Sequence, residues 1–286
     1  MTFSEHYYTS SDGLKLYYRE YGTAEDACPI LCLSGLTRNS GDFHDFAERY
    51  SASRKVYALD YRGRGKSDYD QNYGNYNPQV YLGDIYTFLT QKGIDRALFV
   101  GTSLGGLLTM AMAGLAKQFI AGAILNDVGP EVDSSGGTRI LDYVGKDIRF
   151  PTREAATAHH RESYIGAYPD LDEKGWEKVA MNTYAFDEAQ KNYRLNYDLA
   201  LGKALADQLG GDQPVDLWPF FKALGDVPLL AIRGALSDVL SAEIFARMQV
   251  ENPQMQAIVI ENRGHIPLLD EPPLLAKMDD FIAGIR

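Results

Sequence analysis

The reading of this chain turns on Val100-Gly101-Thr102-Ser103-Leu104-Gly105-Gly106. An apolar run, Ala97-Leu98-Phe99-Val100, precedes it, and a helical pattern over Leu104 to Lys117 follows. Glycine is costly inside regular elements and marks close backbone approach or strained dihedrals. Residues 101–105 fit G-x-S-x-G between a strand and a helix. In that setting a sharp turn lifts the serine oxygen clear at the carboxyl edge of a sheet, and small neighbours let strand and helix approach.

Working outward, the flanking segments predict the sheet that such a turn requires. Residues 1 to about 22 alternate around Ser11-Asp12-Gly13 as an antiparallel hairpin. Pro29 to Leu33 is a continuous apolar run, as in a strand buried on both faces. A helix over Phe43–Tyr50, a strand over Lys55–Asp60, a helix over Asn77–Lys92 and a strand over Ala121–Asn126 continue the alternation. The expected fold is therefore α/β: a mostly parallel twisted sheet flanked by helices. From Glu131 to about Gly225 the rhythm stops. That stretch is aromatic-rich and shows helical patterns but no convincing buried strand. The rhythm returns with a strand over Pro228–Arg233, a helix over Ser241–Val250, a strand over Ala257–Ile260 and a helix over Pro272–Ile285. The domain expectation is a core of residues 1–130 and 226–286, interrupted by a helical cap over 131–225.

Bulk properties narrow the class. A chain of 286 residues with 45% hydrophobic content can bury a substantial core. A formal net charge of −11 argues against nucleic acid and anionic membrane surfaces as partners, leaving a small-molecule substrate as the expectation. The sequence leaves a homodimer open. Met1 to Gly13 has neither a basic n-region nor an apolar h-region, and no run reaches transmembrane length. Cys28 and Cys32, four apart on one expected strand, would hold their Cα atoms roughly 13 Å apart, too far for a disulfide. Together these predict a reduced, cytoplasmic protein.

A serine hydroxyl needs a base. Among the five histidines, His265 lies in Asn262-Arg263-Gly264-His265-Ile266-Pro267, just after the last strand and at the same sheet edge. His159-His160 lacks metal-like spacing and reads as solvated surface, and His6 and His44 have no supporting context. The base needs an acid. Asp238 follows the penultimate strand and gives the order Ser103, Asp238, His265; Asp127, after the strand that follows the nucleophile, is the rival. Backbone N–H groups of Leu104 and Leu36 are the expected oxyanion donors, with Gly35 permitting close approach. Arg38 could meet a substrate carboxylate or serve a structural ion pair, and Trp218 and Tyr143 are candidate substrate contacts. No cofactor or metal is expected. Gly65-Lys66-Ser67 would need glycine at 60 for a P-loop, and a dinucleotide fingerprint from Gly101 would need glycine at 103. No Cys/His/carboxylate cluster has metal spacing.

With these residues in place, the chain resembles, over essentially its whole length, a capped α/β-hydrolase-fold protein. Asp60-Tyr61-Arg62-Gly63-Arg64-Gly65-Lys66-Ser67 resembles that family's D-x-R-G-x-G-x-S loop. The resemblance is to the esterase, enol-lactonase and carbon–carbon-bond hydrolase branches. Ser103 speaks against the haloalkane-dehalogenase and epoxide-hydrolase branches, which carry aspartate at the elbow. One departure is Ser34-Gly35, where the family often has His-Gly. The resemblance implies a serine hydrolase acting on a small or medium ester or lactone through an acyl-enzyme. The alternatives are hydrolysis of a C–C bond in an aromatic ring-cleavage product, and a small-molecule receptor without turnover.

Overall fold

A computed structural model describes residues 2–131, 140, 142–210 and 215–286. The apolar runs form an eight-stranded sheet: β1 (Phe3–Thr9), β2 (Lys15–Tyr21), β3 (Ile30–Leu33), β4 (Val56–Leu59), β5 (Ala97–Thr102), β6 (Ile120–Asn126), β10 (Leu229–Gly234) and β11 (Gln256–Ile260). The spatial order is β1-β2-β4-β3-β5-β6-β10-β11. The β1–β2 and β2–β4 pairs are antiparallel, and every pair from β4 to β11 is parallel.

Alternation along the central strands explains the burial of both faces. Leu31 and Leu33 of β3 join Phe99 and Leu125 in one core cluster, with residues of α2 (Pro78–Lys92) and α3 (Leu104–Ala116). Ile30 and Cys32 point the other way, joining Val100, Ile124 and Ile232 with α1 (His44–Tyr50) and the C-terminal helix over Pro272–Ala283. Successive side chains of a strand must face opposite layers, so a run apolar at every position is what a covered sheet demands. Local signals set the helix ends. The Asn77 side chain accepts from Val80 N at the start of α2, Pro78 sits in the first turn, and Gly93 closes the helix at φ 64°.

The chain leaves the sheet after β6 and returns at β10. The segment between adds short strands to the expected helices. Among the described residues the helices α4 (Arg153–Tyr164), α5 (Glu173–Thr183), α6 (Ala200–Leu209) and α7 (Trp218–Lys222) lie there, and with them a three-stranded antiparallel sheet. That sheet has the order β7-β9-β8, from β7 (Arg149–Phe150), β8 (Tyr184–Asp187) and β9 (Asn192–Leu195). These strands are two to four residues long and mostly half-buried, so they have no continuous apolar run. The chain closes with α8 (Ala242–Glu251), β11 and α9 (Pro272–Ala283). No helix among the described residues is long and apolar enough to cross a membrane.

Candidate active site

Ser103 lies at the β5–α3 junction with φ 51° and ψ −116°, outside the favoured regions for an L-residue. The turn is locked from both sides. Gly105 N donates to Ser34 O at 3.0 Å. A Cβ on Gly105 would stand 2.0 Å from Leu33 O, so only glycine fits there. The serine is thus held proud of the sheet, at the N-terminus of α3, where positive backbone potential collects.

His265 reaches Ser103 from the loop after β11. Its Nε2 is 2.9 Å from Ser103 Oγ, and its Nδ1 is 2.7 Å from Oδ2 of Asp127. An ionised carboxylate only accepts, so Nδ1 carries the hydrogen and donates to Asp127. Nε2 is then the free acceptor, and Ser103 donates its hydroxyl hydrogen to it.

The acceptor at His265 Nδ1 is Asp127, in place of the expected Asp238. The reason lies in the sheet. Thr102 of β5 pairs with Asn126 of β6, so Ser103 and Asp127 leave neighbouring strands at one level. Asp127 adopts φ 53°, which aspartate tolerates better than most residues, and its carboxylate is fully buried. The loop after β10 presents Ser237, one residue before Asp238, to that carboxylate. Ser237 Oγ donates to Asp127 Oδ2 at 2.6 Å, and Gly234 N donates to Oδ1 at 2.8 Å. Ser237 Oγ in turn accepts from Val239 N at 3.2 Å and Leu240 N at 3.1 Å. Those two bonds occupy its lone pairs and leave its hydrogen for Asp127.

A cavity of about 300 Å³ opens over Ser103 and His265. The core supplies its floor, with Gly35, Leu36 and Arg38 among the lining residues, and the inserted segment supplies much of the remainder. Leu104 begins α3, so its N–H has no acceptor within the helix. The backbone at Leu36 is fixed by Arg64, whose Nε donates to Leu36 O at 2.9 Å. Arg64 is itself fully buried, bonded to Tyr81 Oη at 2.7 Å with its guanidinium 4.7 Å from that ring's centre. Neighbouring Arg62 is buried among Asp84, Asp70 and Asp12. The Asp60–Ser67 loop is thus a buttress beneath the floor of the cavity.

Arg38 lines the cavity but is already engaged. Its Nε and Nη2 donate to Asp42 at 2.7 and 2.6 Å, and its Nη1 donates to Thr183. Burial works against its charge, yet Asp42 outweighs this and holds the guanidinium above its usual range. Tyr143 is on the cavity wall. Trp218 is not among the lining residues: its Nε1 bonds Glu131, and the Arg247 guanidinium lies 3.8 Å over its ring.

The structure also corrects the reading of His159-His160. His160 is buried, only 5% exposed, and lines the cavity. Burial, with Arg38 and His159 adding to it, pushes its pKa down to about 3, so its ring is neutral. Ala156, His160 and Tyr164 stand four residues apart on α4, the spacing of one helix face, and that was the available signal. Tyr184 and Thr183, at the α5–β8 junction, line the cavity as well and carried no such signal. The inserted segment grips the histidine loop directly. Tyr168 Oη donates to Ile266 O at 2.8 Å and accepts from Ile266 N at 3.1 Å, and Gly264 N donates to Ala167 O at 2.7 Å. Among the described residues no cluster of His, Cys, Asp or Glu could hold a metal ion.

Comparison with known proteins agrees with this architecture. A 3-hydroxybutyrate-oligomer hydrolase of Cupriavidus necator is 28% identical over 277 residues, covering 94% of this chain and 93% of that protein. A pimeloyl-[acyl-carrier protein] methyl ester esterase of Yersinia pseudotuberculosis is 22% identical, covering 92% and 95%. The crystal structure of an alpha/beta hydrolase from Novosphingobium aromaticivorans superposes with a TM-score of 0.94 at 40% identity, covering 99% of this chain and 98% of that one. The family model of the alpha/beta hydrolases matches residues 30–278. The chain is a hydrolase and belongs to the alpha/beta hydrolase family.

Proposed function

We propose that the protein is a serine-dependent carboxylic ester hydrolase acting on small or medium esters, lactones included. The observation that carries this reading is the unbroken chain Ser103 Oγ–His265–Asp127 facing a closed-in cavity. Ser103 Oγ attacks the carbonyl carbon as its proton passes to His265 Nε2. Asp127 fixes the tautomer and stabilises the imidazolium. The N–H groups of Leu104 and Leu36 receive the negative oxygen of the tetrahedral intermediate. Collapse expels the alcohol, which takes the proton from Nε2, and leaves Ser103 acylated. Water, deprotonated by His265, then attacks the acyl carbon, and a second collapse frees the acid and restores the serine. Ester-hydrolase relatives support the choice of bond. C–C hydrolysis with a carboxylate bound at Arg38 is less well supported, because Asp42 already neutralises that fork.

The test is a full time course of 4-nitrophenyl butyrate hydrolysis with wild type beside Ser103→Ala. Sustained turnover, lost in the variant, is expected. Release that stops near one equivalent would mark a stalled acyl-enzyme or a receptor-like role and overturn turnover of this ester, and equal turnover by both proteins would remove Ser103 from the mechanism.

A further inference from the structure

We infer that His160 and Tyr184 form a neutral hydrogen-bonding subsite for an oxygen-bearing substrate chain, so that the preferred ester carries a hydroxyl or a second carbonyl remote from the scissile bond. The inference rests on the ester-hydrolase reading and deepens it.

Two observations lead to it. The first is a buried polar side chain with unused capacity, next to a second polar residue. His160 and Tyr184 are each only 5% exposed and both line the cavity, from α4 and β8 respectively. Their rings meet edge-on, with centres 6.0 Å apart and planes at 90°. His160 Nδ1 has no hydrogen-bond partner among the described residues, and Tyr184 stands beside it on the same wall. Buried polar groups are ordinarily paired, and an unpaired one is costly. One of them on the cavity wall, with a second polar ring beside it, fits a wall completed by ligand. The His160 ring is neutral, so it offers one donor and one acceptor rather than a charge.

The second observation is charge balance. The charged side chains lining the cavity come with partners: Arg38 with Asp42, and Lys178 with Asp45 and Asp270. An ionised substrate chain would have to break one of these pairs or enter unpaired. A neutral oxygen needs only the donor and acceptor that His160 and Tyr184 offer. Apolar groups such as Ile140, Ile148 and Leu195 cover other parts of the wall. The fitting substrate is therefore an aliphatic ester with one or more neutral oxygens along its chain, as in a hydroxyalkanoate ester or a short polyester.

The experiment compares kcat/KM for 4-nitrophenyl 3-hydroxybutyrate and 4-nitrophenyl butyrate, each corrected by its rate with hydroxide. It uses wild type, Tyr184→Phe and His160→Phe. Wild type should favour the hydroxy ester about five- to tenfold, the scale of one good hydrogen bond. Both variants should bring that ratio close to one. Tyr184→Phe removes a single oxygen, so its result stands even if His160→Phe fails to fold. An unchanged ratio in a variant that turns over both esters would overturn the subsite and leave the esterase reading intact. A preference for 4-nitrophenyl hydrogen succinate over both esters would overturn its neutral character. Failure of wild type to turn over any of the three would overturn the esterase reading, and the subsite with it.

Discussion

Replacing Asp127 by asparagine tests which carboxylate serves His265. The substitution keeps shape but turns one acceptor into a donor. If the new amide nitrogen takes the Oδ1 position, it opposes the Gly234 N–H, now 2.8 Å from that oxygen. Setting donor against donor in a fully buried position costs on the order of 1–3 kcal/mol. At the Oδ2 position the nitrogen meets only the Ser237 hydroxyl, whose hydrogen, unlike a backbone N–H, can rotate away, so the nitrogen settles there and donates to His265 Nδ1, now 2.7 Å from that oxygen. The imidazole is then held with its hydrogen on Nε2, facing Ser103 Oγ, and cannot accept the serine proton. A wrong tautomer of this kind lowers kcat about 10⁴-fold, or roughly 5 kcal/mol of barrier. Asp238→Asn leaves the bond between His265 Nδ1 and Asp127 Oδ2 in place and should lower kcat far less, by under about tenfold. The assay is kcat for 4-nitrophenyl butyrate with both variants, after circular dichroism has shown each to be folded. A loss below tenfold in Asp127→Asn together with a loss above a thousandfold in Asp238→Asn would refute the assignment.

Other consequences are as concrete. Ser237→Ala removes one of three donors to Asp127 and should lower kcat about three- to tenfold with little change in KM, since a single hydrogen bond is worth about 1 kcal/mol; steady-state kinetics decide it. Gly105→Ala should destabilise the fold by about 3 kcal/mol or more, because its Cβ meets backbone rather than a movable side chain; an unchanged urea midpoint would contradict the packing described. His160 takes up a proton near pH 6.5 when unfolded but only near 3 when folded. Between those values the unfolded chain binds more protons, so stability falls as pH falls. From pH 7 to 5 this amounts to about 2 kcal/mol, a loss that His160→Phe should escape in paired urea titrations.

The sheet was legible because its central strands are apolar on both faces, and the turn around Ser103 because glycines mark it. Ser103 follows from the glycine-flanked turn and His265 from the loop after the last strand, both at the carboxyl edge of the sheet. The acid did not follow, since two aspartates satisfy the same rule. What separates them is the pairing of Thr102 with Asn126 and the placement of Ser237, and both are tertiary. The cavity wall was harder still. Trp218 and Tyr143 share their chemistry, yet one packs against Arg247 and the other faces the cavity. Composition cannot tell which aromatic points inward, and β7 to β9 are too short and too exposed to carry a pattern.

The grip of Tyr168 and Ala167 on the histidine loop has a mechanical consequence. The base belongs to two bodies at once: its strand anchors it to the sheet, and bonds at Gly264 and Ile266, on either side of it, anchor it to the insert. If the insert swings away at that seam, His265 loses its outer anchorage while Ser103 and Asp127 stay seated on β5 and β6. The serine would then stand exposed to water without a positioned base, inert toward bulk solvent. The seam as it stands keeps the base in place, so the segment that shapes the cavity also holds the nucleophile's partner in register.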